Sequence, residues 1–161
     1  MHCDVPVLRR AAMNYLARRE HSTFELHEKL LKKYPKLAIK ELDLALNQLQ
    51  KENLLSDERF TESYIRYRKG KGFGYKHIKA ELGARRVDPI IIAKYLFIDD
   101  DDWEKIALDL VSKKVRYQDQ TQYGSKLHQK IIRFMESRGF TVHEIKKALN
   151  QRMTFCKTTE K

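Results

Sequence analysis

The feature that most constrains this chain is a short signature that it states more than once. Lys71-Gly72-Phe73-Gly74 leads into a run carrying Ile78 and Leu82, and Arg138-Gly139-Phe140-Thr141 leads into one carrying Ile145 and Leu149. A looser copy, Arg19-Glu20-His21-Ser22, precedes Leu26 and Leu30. In each copy a cation stands three residues before a small residue, and apolar residues follow that residue at the fourth and eighth positions. This spacing puts both apolar residues on one face of a helix that the small residue opens. Ser22 with Glu25, and Thr141 with Glu144, also fit the capping box, in which each side chain satisfies an orphan backbone donor. Gly74 replaces the hydroxyl in the middle copy and is a poorer cap. Repetition of such openings predicts an all-α fold built from tandem three-helix, helix-turn-helix-like repeats.

The spacing of caps and apolar stripes divides the chain further. Leu8, Ala12, Tyr15 and Leu16 mark a first helix; Ser22 opens a second that closes at Lys32 and Lys33; Ile39, Leu42, Leu46 and Leu49 make the inward face of a third, with Asn53 as its C-terminal cap. Ser56 caps a fourth helix, on which Phe60, Tyr64 and Tyr67 share a face. The fifth runs from Gly74, and Asp88-Pro89 starts a sixth bearing Ile92, Tyr95 and Leu96. Trp103, Ile106, Ala107 and Leu110 define a seventh helix, and Leu127, Ile131 and Phe134 an eighth. Thr141 opens a ninth, running to about Arg152. The predicted units are residues 1–54, 55–98 and 99–152, the last with an aperiodic loop from Val115 to Gly124, followed by a frayed polar tail at 153–161. The three signature copies are unevenly spaced. Either the third unit is arranged differently, or its signature sits between its second and third helices.

Charge narrows the partner class. Thirty-three Lys and Arg stand against 22 Asp and Glu, a formal net charge of +11, which favours a polyanion or an acidic protein surface. Arg59, Arg66 and Lys69 fall on the outer side of the fourth helix, Lys76 and Lys79 flank the fifth with Arg85 and Arg86 at its end, and Lys126, Lys130 and Arg133 stripe the eighth. With Lys71 from the signature, these are the candidate contacts to a partner or to nucleic acid. Each stripe has a plain alternative as a solvated face, and the signature cations also suit helix C-termini.

Chemistry of the chain's own is not expected. Gly70-Lys71-Gly72-Phe73-Gly74 lacks the Walker A spacing and a preceding strand, so it reads as a helix–helix turn. Asp99 to Asp102 are consecutive and therefore diverge, whereas a metal needs converging ligands; they read as the acidic start of a helix. The six histidines lack a serine or carboxylate partner at a useful spacing. Cys3 and Cys156 show no metal-type spacing. No catalytic residue, metal or cofactor is expected. The start, Met1-His2-Cys3-Asp4, has neither the charge nor the apolar run of a signal peptide, and no stretch is apolar enough to span a bilayer, so the expectation is a cytoplasmic protein.

Several pieces, in this order, resemble the RecX family, regulatory proteins of the RecA recombinase: Tyr15-Leu16-Ala17-Arg18-Arg19-Glu20-His21-Ser22 with Glu25-Leu26; Leu55-Ser56-Asp57-Glu58-Arg59-Phe60; Lys71-Gly72-Phe73-Gly74 with Ile78 and Glu81-Leu82; Asp102-Trp103 with Lys113-Lys114; and Arg133-Phe134 with Arg138-Gly139-Phe140-Thr141. The likeness runs from about Leu8 to Leu149. It implies a curved array of tandem three-helix units without an active site of its own; an elongated monomer is the default expectation. It also implies binding in the groove of the RecA–DNA filament across neighbouring protomers, with inhibition of RecA ATP hydrolysis and strand exchange, and in some members binding to single- or double-stranded DNA. Phe73 and Phe140 are then either exposed anchors for the filament or core residues at helix turns. The rival class is a helix-turn-helix transcription regulator. It is disfavoured because the fifth helix offers mainly Lys and Glu, which address phosphates rather than base edges. A nuclease is the third reading, weakened by the diverging aspartates.

Overall fold

The computed structural model describes residues 5–115 and 124–157, the last five by backbone alone. The predicted loop between Val115 and Gly124, Cys3 and the side chains of the tail therefore lie outside the described residues. Among those described there are nine helices and no strand: α1 (Val5–Leu16), α2 (Thr23–Lys33), α3 (Ile39–Lys51), α4 (Asp57–Gly70), α5 (Tyr75–Ala84), α6 (Pro89–Tyr95), α7 (Asp102–Lys114), α8 (Lys126–Ser137) and α9 (Val142–Lys157). The fold is an all-α helical repeat.

The predicted helix starts form for the anticipated reasons. Ser22 Oγ accepts from the Glu25 amide at 3.1 Å, Ser56 Oγ from the Arg59 amide at 3.3 Å, and Asp88 Oδ1 from the Ile90 amide at 2.8 Å. Of the two predicted capping boxes, that at α9 is complete: Glu144 Oε2 accepts from the Thr141 amide at 2.7 Å and Thr141 Oγ1 from the Glu144 amide at 3.3 Å. The Glu25 carboxylate turns elsewhere, onto two arginines. The third signature copy lies between α8 and α9, which explains the uneven interval.

Four helix ends, those of α3, α4, α5 and α8, close in the same way. Asn53, Gly72, Arg86 and Gly139 all have positive φ, at 57°, 75°, 53° and 86°. The amide after each bonds back to the carbonyl five residues earlier: Leu54 to Leu49, Phe73 to Arg68, Val87 to Leu82, Phe140 to Met135. This is the Schellman closure, which satisfies carbonyls that the helix leaves unpaired.

The contacts sort the chain into two compact units, Met1–Tyr64 with Leu82–Tyr95, and Ile65–Glu81 with Leu96–Lys161. In the first, α1, α2 and α3 pack mutually around Ala11, Ala12, Leu26, Leu30, Leu42, Leu46, Leu49 and Leu55. In the second, α7 packs along α9, and α8 closes the core on Val111, Ile131, Met135, Phe140, Ile145 and Leu149. Burial of these side chains is the main favourable term, about 1.5–3 kcal/mol for each large one. Two inward assignments are corrected. Ile39 is 60% exposed, because it is the first residue of α3 and precedes the packed stripe; Tyr67 is 58% exposed, because α4 buries Phe60, Thr61 and Ile65, a stripe set round the helix from it.

Candidate partner-binding surface

The signature copies are structural clasps at helix ends. In the first unit, the Ser22 hydroxyl donates to the Arg85 carbonyl at 3.2 Å while accepting the Glu25 amide. Arg85 Nε returns a bond to Glu25 Oε1 at 2.9 Å, and Arg19 Nη1 binds Glu25 Oε2 at 3.0 Å. Burial pushes the Glu25 carboxyl up, but these bonds and the charges of Arg19 and Arg85 outweigh it and hold it below its ordinary value.

In the second unit the clasp is made mainly of backbone, with one guanidinium added. The Gly74 amide donates to the Arg138 carbonyl at 2.8 Å, the Lys76 amide to the Gly139 carbonyl at 3.2 Å, and Arg138 Nη1 to the Lys71 carbonyl at 2.9 Å. The second and third signature copies thus face each other. A Cβ on Gly74 would lie 2.7 Å from the Gly139 oxygen, so only glycine permits this approach. Phe73 sits between the guanidinium carbons of Arg68, 3.8 Å from the ring centroid, and Arg138, 4.3 Å away, and stacks on His77. Phe140 is buried in the core. Of the two aromatics weighed as exposed anchors, Phe140 is a core residue and Phe73 is half-buried and clamped.

The cations singled out in the sequence divide by what holds them. Arg59 binds Glu20 at 2.9 Å and Asn53 at 2.8 Å. Arg85 is the clasp residue above and also covers the Tyr64 ring at 4.6 Å. Lys69 is folded onto Asp100 and Asp102 with its Nζ 4.5 Å from the Trp103 ring centroid, so it is not on an outer face. Asp100 and Asp102 are occupied by this lysine at the start of α7. Burial raises the Asp100 carboxyl, but hydrogen bonds from Lys69 and the Asp102 amide, with the charges of Lys69 and Lys105, bring it below its ordinary value.

The others face outward. Arg66 is exposed on α4; Lys71 lies 5.7 Å from the Tyr67 ring centroid, Lys79 lies 5.6 Å from that of Tyr75, and Arg86 lies 4.6 Å from that of Phe24. Lys76, Lys126, Lys130 and Arg133 are exposed and have no hydrogen-bond or ion-pair partner among the described residues. Lys126, Lys130 and Arg133 recur at helical spacing on the side of α8 opposite His128, Ile131 and Met135, which are buried. Sequence spacing found these cations but passed over Tyr67, an exposed aromatic beside Lys71. No helix among the described residues is long and apolar enough to cross a membrane.

Comparison with known proteins agrees with this architecture. The family model of the RecX first three-helix domain matches residues 9–42, and that of the RecX second three-helix domain matches residues 56–96, the span of α4 to α6. The chain is 40% identical over 131 residues to the regulatory protein RecX of Mannheimia succiniciproducens, covering 80% of this chain and 83% of the relative. It is 37% identical over 150 residues to that of Pseudomonas putida, covering 92% and 94%. The crystal structure of RecX from Lactobacillus salivarius superposes with a TM-score of 0.77 over 94% of this chain and 97% of that one, at 23% identity, a likeness of fold. With matching domains, similarity over most of each chain and a shared fold, the chain belongs to the RecX family of regulatory proteins.

Proposed function

We propose that this protein regulates the RecA recombinase by binding the RecA–DNA filament in its groove and inhibiting ATP hydrolysis and strand exchange, and so modulates recombination and repair. Family membership supports the partner. The observation that carries the contact surface is the unpaired stripe Lys126–Lys130–Arg133 on α8, together with Lys76 of the same unit. Three cations spread over about 10 Å of helix are spaced to meet successive charges of a polyanion. Among the described residues no acid pairs with them, unlike Arg59, Lys69 and Arg85. Lys71, Lys79, Arg66 and Arg86 extend the same surface chemistry. Such cations set encounter rate and salt dependence more than residence time. In this reading α7 to α9 form a third three-helix unit, and the protein acts as a cytoplasmic monomer without chemistry of its own.

The test is RecA's hydrolysis of ATP on single-stranded DNA as the protein is titrated in. Inhibition well below one copy per RecA supports a filament regulator. Reversal of the three α8 charges to Glu should abolish inhibition at low salt while leaving the helical fold intact. No inhibition by the unaltered protein at saturation would overturn the reading, and sequence-specific duplex binding would then favour a transcription regulator.

A further inference from the structure

The second unit leaves an apolar slot open beside its free cations. The slot lies between α8 and α9, has a volume of about 130 Å³, and is walled almost throughout by carbon, from Ile132, Val142, Ile145 and Leu149. Val142 at its mouth is 58% exposed. His128 also lines the slot, but its Nδ1 is turned to the Gly124 amide, which donates to it at 3.3 Å. Charges stand on the rim. Lys146 of α9 and Glu136 of α8 flank the slot, and Arg133 follows Ile132 on α8 with Lys130 about one turn before it. All four are exposed, and their side chains have no hydrogen-bond or ion-pair partner among the described residues. Three cations against one acid favour a negatively charged ligand. The slot adds a second requirement, because a sugar–phosphate backbone has no apolar group to bury in it and a polypeptide does. A dry cavity of ~150 Å³ holds a benzene ring, so this one takes a single leucine-sized side chain.

We propose that the α8–α9 face docks an acidic, amphipathic segment of a partner protein, with one leucine-sized side chain in the slot and carboxylates on Lys130, Arg133 and Lys146. In this mode of recognition the buried apolar anchor sets residence time, and the charged rim sets encounter rate and register. Glu136 disfavours an acid at one edge of the slot and so restricts how the segment lies. Such a contact goes beyond the reading of a filament regulator and stands without it. Its test omits RecA, so either can fail alone.

The probe is a dye-labelled, glutamate-rich helical peptide of about three turns with one central leucine, beside the same peptide with alanine at that position. The full-length protein is titrated onto each and binding is followed by anisotropy. The leucine peptide binds roughly tenfold more tightly than the alanine peptide. Val142→Glu places a charge at the mouth of the slot, on an exposed helix start that accepts an acid. It removes the preference for leucine without lowering the unfolding temperature. Arg133→Glu and Lys146→Glu weaken both peptides alike and flatten the salt dependence, but keep that preference. Absence of binding, or equal affinity of the two peptides for the unaltered protein, overturns the proposal, as does a leucine preference that survives Val142→Glu. Self-association of the unaltered protein in sedimentation, abolished by Val142→Glu, would assign the slot to a second copy of the chain and overturn it as well.

Discussion

In the first unit the start of α2 is tied to the end of α5 by side chains: a hydroxyl, a carboxylate and two guanidinium groups meet around Ser22 and Arg85. In the second, the start of α5 is tied to the end of α8 by peptide groups that approach across two glycines. Both join a helix start to the carbonyl just before a left-handed residue, Arg86 in one and Gly139 in the other. The same signature therefore supports two kinds of junction. A side-chain clasp tolerates drift in backbone position but depends on charge state. A backbone clasp is indifferent to pH but admits no Cβ.

The harshest way to break the comparison is Gly139→Ala. Its Cβ would stand 2.3 Å from the His77 amide nitrogen, and φ of 86° is unfavourable for alanine besides. We expect a loss of about 3–4 kcal/mol in urea unfolding, with rapid hydrogen exchange at Gly74 and Lys76. Gly74→Ser imports the hydroxyl of the first clasp where the Gly139 and Phe140 backbone leaves no room. It should cost about 2 kcal/mol rather than improve the cap. Ser22→Ala removes two hydrogen bonds but clashes with nothing, for about 1 kcal/mol by the same measurement.

Acid separates the two clasps next. Burial lowers the His21 imidazole below its ordinary 6.5, with the charges of Arg19 and Lys29 adding to the effect and a hydrogen bond to the Arg19 carbonyl opposing it. The folded state therefore binds the proton less readily than the unfolded chain. Stability from His21 is fully present above 6.5 and is lost as pH falls through that value towards the folded pKa. Glu25, also lowered, adds a second loss as pH falls below 4.5. Amides of α2 should lose protection on acidification before those of α8, and His21→Phe, the residue type of the other two copies, should flatten the upper limb. The smallest effect is expected at Arg86→Gly. Relief of its positive φ is offset by lost contact with Phe24 and by the freedom of glycine when unfolded, leaving stability within about 0.5 kcal/mol.

Helix order and helix starts were legible because caps and apolar spacing are local: Ser22, Ser56, Asp88-Pro89 and Thr141 each announce their helix within three residues. Left-handed ends were legible at Asn53, Gly72 and Gly139, whereas Arg86 carries no such label. The pairing of the second and third signature copies was not legible, because it joins residues more than sixty positions apart through backbone groups that every sequence possesses. The candidate surface was half legible for the same reason. Helical spacing says which cations leave a helix axis together, but Glu20, Glu25 and Asp100, supplied from other elements, decide that Arg59, Arg85 and Lys69 are spent within the fold.

Trp103 is the only tryptophan in the chain; it is 1% exposed, its indole N–H donates to the Phe97 carbonyl at 2.8 Å, and Tyr75 meets it edge-on. It belongs to the second unit alone. Its emission is a built-in optical label: light absorbed selectively by indole reports on the second unit, while the first stays dark. Unfolding traced by fluorescence and by circular dichroism would therefore diverge wherever one clasp gives way before the other.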